Sequence, residues 1–351
     1  MIVVSFSYCL FHTAKQHSQW ERRPGMKHLF LTTTLILGVP LSAAAQDVTI
    51  KMGHAASSQH VFHEGLEIFA AKVADKTGGS VAVEVFGDRQ LGDDKQLLEG
   101  LQIGLIDGAL VSTATLPLVL ELGGFDALQL PFVTSSYQQM SDVLTSDLGA
   151  ELLATLDDKS IKGVGFIEAG QRHFLAKGDA VMSADDFAGL KTRIVPIPLH
   201  KATWEAIGVN PIGMAYGEVY SGLETGTIDA VEINLSSIRS ESLFDAAKQV
   251  TLTGHYFWPG AIMLSANVWD GLTDDQKAAI EEAGRETTAQ AYALSASQEA
   301  DTTAFLEDNG VTINEMSDLD AMKAKTSSVV ETWTAKDPLV ARIVDALKSG
   351  S

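Results

Sequence analysis

The chain has 351 residues, long enough for two domains with cores of their own, and its 45 acidic residues outnumber 25 basic ones for a net charge of −20. So acidic a chain is repelled by nucleic acid and by anionic membrane surfaces, which removes both as partners. Its one cysteine, Cys9, lies in a leader described next, so no disulfide or thiol chemistry is expected of the rest.

Met26-Lys-His precedes an apolar run from Leu29 to Leu41 and then Ser-Ala-Ala-Ala-Gln. This is the charged start, short hydrophobic middle and small-residue cleavage site of a secretory signal, assigned to residues 26–45 with the cut after Ala45. Residues 1–25, upstream of it, read as an over-extended start. A membrane anchor needs roughly 20 apolar residues, more than this run supplies. The leader holds four basic residues and one acid, so the mature chain is more acidic still.

From Val48 to Gly53 the residues alternate as in a half-buried strand, and His54-Ala-Ala-Ser-Ser is the loop after it. A helix is expected from Val61 to Thr77, burying Leu66, Phe69, Ala70 and Val73 and stopped by Gly78-Gly79. Val81 to Phe86 is the next strand, and the strand, helix, strand order continues, which predicts an α/β sheet. Gly100-Leu-Gln-Ile-Gly104-Leu-Ile-Asp107 is echoed by Gly222-Leu-Glu-Thr-Gly226-Thr-Ile-Asp229. Each closes a helix on a left-handed glycine and turns into a strand, so two lobes built on one unit are expected, with chance recurrence of a common turn as the alternative.

Further along, a single helix is predicted over Tyr137 to Leu156, a strand over Ile161 to Glu168, and a turn at Ala169-Gly-Gln-Arg172-His-Phe. Ser183-Ala-Asp-Asp186 reads as a helix start. Gly189-Leu-Lys-Thr-Arg193-Ile-Val-Pro196 follows as a short buried strand, then helices over Leu199 to Ile207 and Tyr216 to Leu223 and a polar helix after Asn234. Tyr256-Phe-Trp-Pro-Gly-Ala-Ile-Met-Leu is apolar and aromatic. Thr273-Asp-Asp-Gln276 opens a helix that runs without proline to Asn309-Gly310, about 54 Å if unbroken, able to brace both lobes; two helices parting near Gly284 are the alternative.

No serine elbow, phosphate loop or His-Glu-x-x-His pattern is present, and Asp93-Asp94 and Glu281-Glu282 read as solvated faces. His54, His60 and His63 form the best metal candidate, since the last two are one helical turn apart. They carry the alternative of a secreted metal-dependent hydrolase or metal-binding protein, against ordinary loop and helix-start histidines. Two arginines remain, Arg172 and Arg193, each at a strand edge in a strongly acidic chain. A buried guanidinium needs a carboxylate of the protein or an incoming anion, and its planar fork suits a carboxylate.

Thr77-Gly-Gly, Gln90-Leu-Gly-Asp, Leu97-Leu-Glu-Gly-Leu-Gln-Ile-Gly, Leu130-Pro-Phe, Arg172-His-Phe, Gly189-Leu-Lys-Thr-Arg, Gly217-Glu-Val-Tyr, Gly226-Thr-Ile-Asp and Thr253-Gly-His occur in that order. In this the mature chain resembles the extracytoplasmic solute receptors of tripartite ATP-independent periplasmic (TRAP) transporters, of the dicarboxylate-receptor type. The resemblance implies an α/β, two-lobed periplasmic-binding-protein fold with a cleft between the lobes and a long bracing helix. It implies lobe I over 46–169 with 259–298 and lobe II over 170–258 with 299–351. The function implied is a monomeric, non-enzymatic periplasmic receptor, without metal or cofactor, that binds a small organic acid and delivers it to the small and large membrane subunits of a permease. Arg193 matches the arginine that pairs with the ligand carboxylate, Arg172 a more variable partner, and Tyr216 an aromatic packed on the ligand. Glu232 and Asn234 are expected to point into the cleft, although Val231-Glu-Ile-Asn departs from the family's Gln-Glu-Asn-Pro. His54, His60 and Asp94 fall near the cleft rim. Ser112 and Thr115 stand where sialic-acid-binding members carry charge, which argues against that ligand.

Overall fold

The computed structural model describes residues 48–349. The secretory signal assigned to 26–45, the over-extended start at 1–25 and Cys9 lie outside the described residues. No helix among the described residues is long and apolar enough to cross a membrane.

Among the described residues ten strands form the frame: β1 (Val48–His54), β2 (Val81–Phe86), β3 (Gly108–Ser112), β4 (Ile161–Ala176), β5 (Lys191–Ile194), β6 (Asn210–Gly213), β7 (Ala230–Asn234), β8 (Gln249–Leu252), β9 (Phe257–Ser265) and β10 (Thr312–Glu315). Their order is β2-β1-β3-β9-β4-β7-β5-β6, with β8 also on β4 and β10 on β8. β1 runs parallel to β2 and β3, and β5 runs parallel to β6 and β7, while β9 is antiparallel to both β3 and β4. β4 belongs to both halves. Ile161 to Gln171 pair with β9, and Arg172 to Ala176 pair with β7.

The turn expected at residues 169–174 is therefore a continuation of one long strand. The chain absorbs its change of direction in a register shift between Glu168 and Gln171, where Gly170 takes φ +108°. Two other expectations are corrected by local capping. The segment 137–156 is two helices, Tyr137–Leu144 and Asp147–Ala154, because the Ser146 hydroxyl accepts the Leu148 N–H and starts a new one. Ser183 to Asp186 forms a turn, since the Asp186 carboxylate takes the N–H groups of Met182 (2.9 Å) and Ser183 (2.8 Å), which lie behind it in the chain.

The internal echo is structural. Gly104 (φ +69°) and Gly226 (φ +73°) both close their helices in the left-handed region. Asp107 accepts the Lys51 N–H at 3.1 Å, and Asp229 accepts the Lys191 N–H at 3.1 Å. Each lysine immediately precedes the first residue paired with the echoed strand, Met52 opposite Gly108 and Thr192 opposite Ala230. In both halves the aspartate fixes where two parallel strands begin to pair.

Helix Val61–Lys76 packs Leu66, Phe69 and Val73 against Ile50 and Met52 of β1, while Leu97, Leu101 and Leu128 cover the other side with Val111 and Phe166. The second half has cores around Leu223, Val231 and Ile233, and around Phe174 and Trp204. The helix Asp274–Asp308 is continuous over 35 residues, opened by the Thr273/Gln276 capping box. It lends Ala283 and Ala291 to a first-half core and Leu306 to a second-half core, so one rigid rod ties both together. Gly284 does not break it. A Cβ there would lie 1.9 Å from the Val164 carbonyl oxygen, so the glycine lets the helix lie directly on β4. Thr288 accepts the Phe166 N–H (2.9 Å) across the same contact.

Helix propensity alone predicts that Gly284→Ala stabilises by about 1 kcal/mol. The contact with β4 predicts the opposite sign, a loss of roughly 1–3 kcal/mol from overpacking, read as a lower urea midpoint. A higher midpoint would show that the helix is not seated on the strand.

Candidate functional site

The parallel strands of both halves end around one cavity of about 250 Å³. Its walls come from residues just past these ends: Ala55 after β1, Thr115 after β3, Val195 and Pro196 after β5, Met214 to Tyr216 after β6, and Ser237 after β7. The C-terminal ends of parallel strands are where α/β sheets place ligands. The volume lies below the roughly 300–1,000 Å³ of drug-sized sites, so only a small molecule fits.

Arg193 reaches the cavity from β5 with only 3% of its surface exposed. Its Nε donates to the Met214 carbonyl at 3.1 Å, which fixes the fork, and no carboxylate among the described residues lies within ion-pair distance of it. Burial lowers its pKa to about 10, opposed by the charge of Glu232, so it stays a cation at neutral pH.

Arg172 also lines the cavity, but its charge is already matched. Its Nε pairs with the Glu232 carboxylate, its Nη2 donates to the Glu232 carbonyl, and its guanidinium lies over the Trp258 ring at 4.0 Å. Glu232 is fully buried and also accepts the Tyr256 hydroxyl at 3.0 Å. Burial works to raise its carboxyl, and Arg172 with the nearby His255 and His200 outweighs burial and holds it well below the usual carboxylate range. Burial lowers His200 to about 3 and His255 to about 4, so both imidazoles are neutral.

Glu232 and Asn234, expected to point into the cleft, do not line the cavity. They share one face of β7, two residues apart, and their side chains are taken up by Arg172 and by the Ala169 carbonyl of β4. Asn234 donates to the Ala169 carbonyl (2.6 Å) and accepts from the Ser237 hydroxyl (2.8 Å), so it ties the irregular part of β4 to the helix after β7.

His60, Asp94 and Tyr216 do line the cavity with the two arginines. His60 caps helix Val61–Lys76, its Nδ1 accepting the Phe62 N–H and its Nε2 3.0 Å from the Ser237 hydroxyl. His54 turns elsewhere, with Nε2 2.9 Å from Nδ1 of His63. The three imidazoles thus do not converge, and no group of three or more His, Cys, Asp or Glu among the described residues is placed to hold a metal ion. Asp94 opens helix Asp94–Gln102, and burial pushes its carboxyl up to about 7 against the pull of the Ser112 backbone, Arg89 and Arg193.

Several lining residues are not singled out by the sequence, Trp258 and Arg89 among them. Trp258 lies in a stretch read only as apolar and aromatic. Arg89 sits in a tight loop where Asp88 (φ +55°) and Arg89 (φ +60°) are both left-handed without being glycine, an arrangement that gives no sequence signal. It lies 5.1 Å from the centre of the Tyr216 ring, and its Nη2 meets Glu241 at 3.2 Å while Glu241 also accepts the Ser57 N–H at 2.9 Å.

Comparison with known proteins agrees with this geometry. The family model described as bacterial extracellular solute-binding protein, family 7 (DctP) matches residues 52–337. The C4-dicarboxylate-binding periplasmic protein DctP of Rhodobacter capsulatus is 30% identical over 281 residues, covering 80% of this chain and 84% of that protein. A TRAP periplasmic solute-binding protein from Sulfitobacter, solved with β-D-galacturonate, superposes with a TM-score of 0.78 at 29% identity over 86% of this chain and 99% of that one. The sugar acid binding protein from Advenella mimigardefordensis, solved with galactonate, gives a TM-score of 0.81 at 27% identity over 86% and 98%. A two-lobed α/β frame, a cavity at the strand ends and a family match across most of the chain converge: this protein belongs to the DctP family of TRAP-transporter solute-binding proteins.

Proposed function

We propose that this chain is a periplasmic receptor that captures a small organic acid by its carboxylate on Arg193, closes its two lobes over it, and delivers it to the small and large membrane subunits of a TRAP permease. The lobes are residues 46–169 with 259–298 and residues 170–258 with 299–351, which divides the sheet within β4. The observation that carries the reading is the buried, rigidly held guanidinium of Arg193 at a cavity, with no acid of the described chain to neutralise it. Burying such a charge costs several kcal/mol, and a carboxylate in the cavity completes it with two charge-assisted hydrogen bonds of about 1.5–3 kcal/mol each. The ligands of the relatives support the class: galacturonate, galactonate and C4-dicarboxylates are all small carboxylic acids. Contacts from both lobes favour the closed state because only that state makes them together.

The two arginines have separate duties, and variants should separate them. Arg193→Ala removes two charge-assisted bonds and should weaken acid binding by about 10²–10⁴-fold in calorimetry, with the unliganded protein no less stable. Arg193→Lys keeps the charge and loses the fork, so it should fall between. Unchanged affinity in Arg193→Ala would place the carboxylate elsewhere.

Glu232→Gln instead leaves Arg172 buried without its counter-charge and should cost about 3–5 kcal/mol of folding stability at pH 7. Because the folded carboxyl lies below its ordinary value of 4.5, the advantage of the natural residue is complete above that value. It should drain away as the pH falls below it. Denaturant midpoints of the two proteins that stay equally far apart from pH 7 to pH 3 would refute the assignment.

A further inference from the structure

The helix Leu235–Ser240 follows β7 in lobe II and carries two contacts across to lobe I. The inner one runs through Ser237, whose hydroxyl donates to Asn234 (2.8 Å) and stands 3.0 Å from Nε2 of His60. Because Nδ1 of His60 accepts the Phe62 N–H, the imidazole proton is on Nε2 and the serine oxygen accepts it. Four residues on, one turn further along the same face, Glu241 closes the helix and spends both carboxylate oxygens on lobe I. One accepts the Ser57 N–H at 2.9 Å, and the other meets Nη2 of Arg89 at 3.2 Å.

The lobe I side is prepared to receive that carboxylate. Ser57 and Arg89 lie on separate loops, after β1 and after β2, and the loops are fastened to each other. The Asp88 N–H donates to the Ala56 carbonyl (2.8 Å), and the Ser58 N–H donates to the Asp88 carboxylate (3.0 Å). The left-handed backbone of Asp88 and Arg89 is costly without glycine and persists only where the surroundings impose it. Gly217 of lobe II leaves room for the guanidinium, since a Cβ there would lie 2.9 Å from its Nε. With 17% of the Glu241 side chain exposed and a backbone N–H sharing it, this pair is better shielded than an ordinary surface ion pair.

We infer that Glu241 is the latch of the receptor, a positioning residue that holds lobe II on the paired loops of lobe I and so sets how long a captured acid stays. Glu241 and Ser57 do not line the cavity, although Arg89, His60 and Ser237 do, so the latch acts on the ligand through the angle between the lobes. Asn234, which is tied to the Ala169 carbonyl at the crossing, lies seven residues before Glu241, about 10 Å along the helix. Bonds of 2.9 and 3.2 Å at that distance from the crossing part when the lobes swing open. The inference rests on the two-lobed closing receptor proposed above and names the contact that keeps it shut.

The test is stopped-flow dissociation of galacturonate, galactonate or succinate from the mature chain, read by the fluorescence of Trp258, which lines the cavity. Glu241→Ala should release the bound acid about 5- to 30-fold faster, the worth of one charge-assisted pair, with association changed by no more than ~2-fold. Glu241→Gln keeps an acceptor for the Ser57 N–H and should fall between, and it carries the test if the first variant folds poorly. The chain from Gln46 onward holds no cysteine, so Asp75→Cys in lobe I and Glu224→Cys in lobe II, both exposed, can be spin-labelled alone. Without ligand, the distance between these labels should lengthen in Glu241→Ala. A dissociation rate that neither variant changes overturns the inference, and where none of the three acids binds, an unchanged distance distribution does so. The underlying reading fails differently. Unchanged affinity in Arg193→Ala removes carboxylate capture and leaves the latch standing, whereas labels that come no closer when an acid binds the natural protein remove closure and the latch with it.

Discussion

A buried cation, Arg193, with no ion-pair partner among the described residues organises the site. Within a few ångströms of the cavity the fold places two buried arginines and one fully buried glutamate, and it gives the glutamate to Arg172. Had Glu232 closed on Arg193 instead, the cavity would hold a finished ion pair with nothing left to offer an anion. The assignment is enforced by backbone geometry. Arg172 on β4 stands directly across the ladder from β7, within reach of both the carboxylate and the carbonyl of Glu232, whereas Arg193 is drawn off by the Met214 carbonyl beyond the end of β6. Burial depresses the basicity of Arg193 without discharging it, so the site is electrostatically incomplete and geometrically finished.

The remainder of the architecture serves to bring strand ends to that charge. Two parallel units, each started by a left-handed glycine and pinned by an aspartate on the neighbouring strand, point their C-terminal ends at the same space. A single helix with a residue in each half's core holds the units at a fixed spacing. Behind the wall, neutral His200 and His255 surround Glu232 and separate it from water, and His200 passes the network on to Gln129 at 3.1 Å. The two imidazoles approach the Glu232 carboxylate at 3.7 Å and 3.6 Å, outside hydrogen-bond distance, so they shield it without bonding to it.

What the sequence discloses is what local chemistry controls. Alternation in Val48–Gly53, the apolar stripe of Val61–Lys76, the paired glycine and aspartate units and the capping box at Thr273 all act over a few residues, and each appears as read. Arg193 stands out because a lone cation among β-branched neighbours is costly anywhere, and Arg172 because it sits at a strand edge in a strongly acidic chain. What stays hidden depends on distant partners. Ser146 interrupts a helix that periodicity would continue, and Gly284 reads as a helix breaker only until the Val164 carbonyl is known to lie against it. Glu232 and Asn234 are assigned to the cleft by resemblance, and their side chains are instead engaged by Arg172, the Ala169 carbonyl and Ser237. Arg89 reaches the cavity through two strained backbone angles that no residue type announces.

The irregular stretch of β4 between Glu168 and Gln171 also bears on the thermodynamics of capture. Several of its polar groups are tied down, with the Gly170 and Trp258 N–H groups on one oxygen of the Glu168 carboxylate and the Ala169 carbonyl held by Asn234 and Ser236. The crossing between halves is thus a stiff spring, and little chain disorder remains there to be lost when a ligand arrives. Arg172 is the next residue along, so any flexure of that spring carries a cavity-lining guanidinium with it and converts the angle between the halves into the shape of the binding surface.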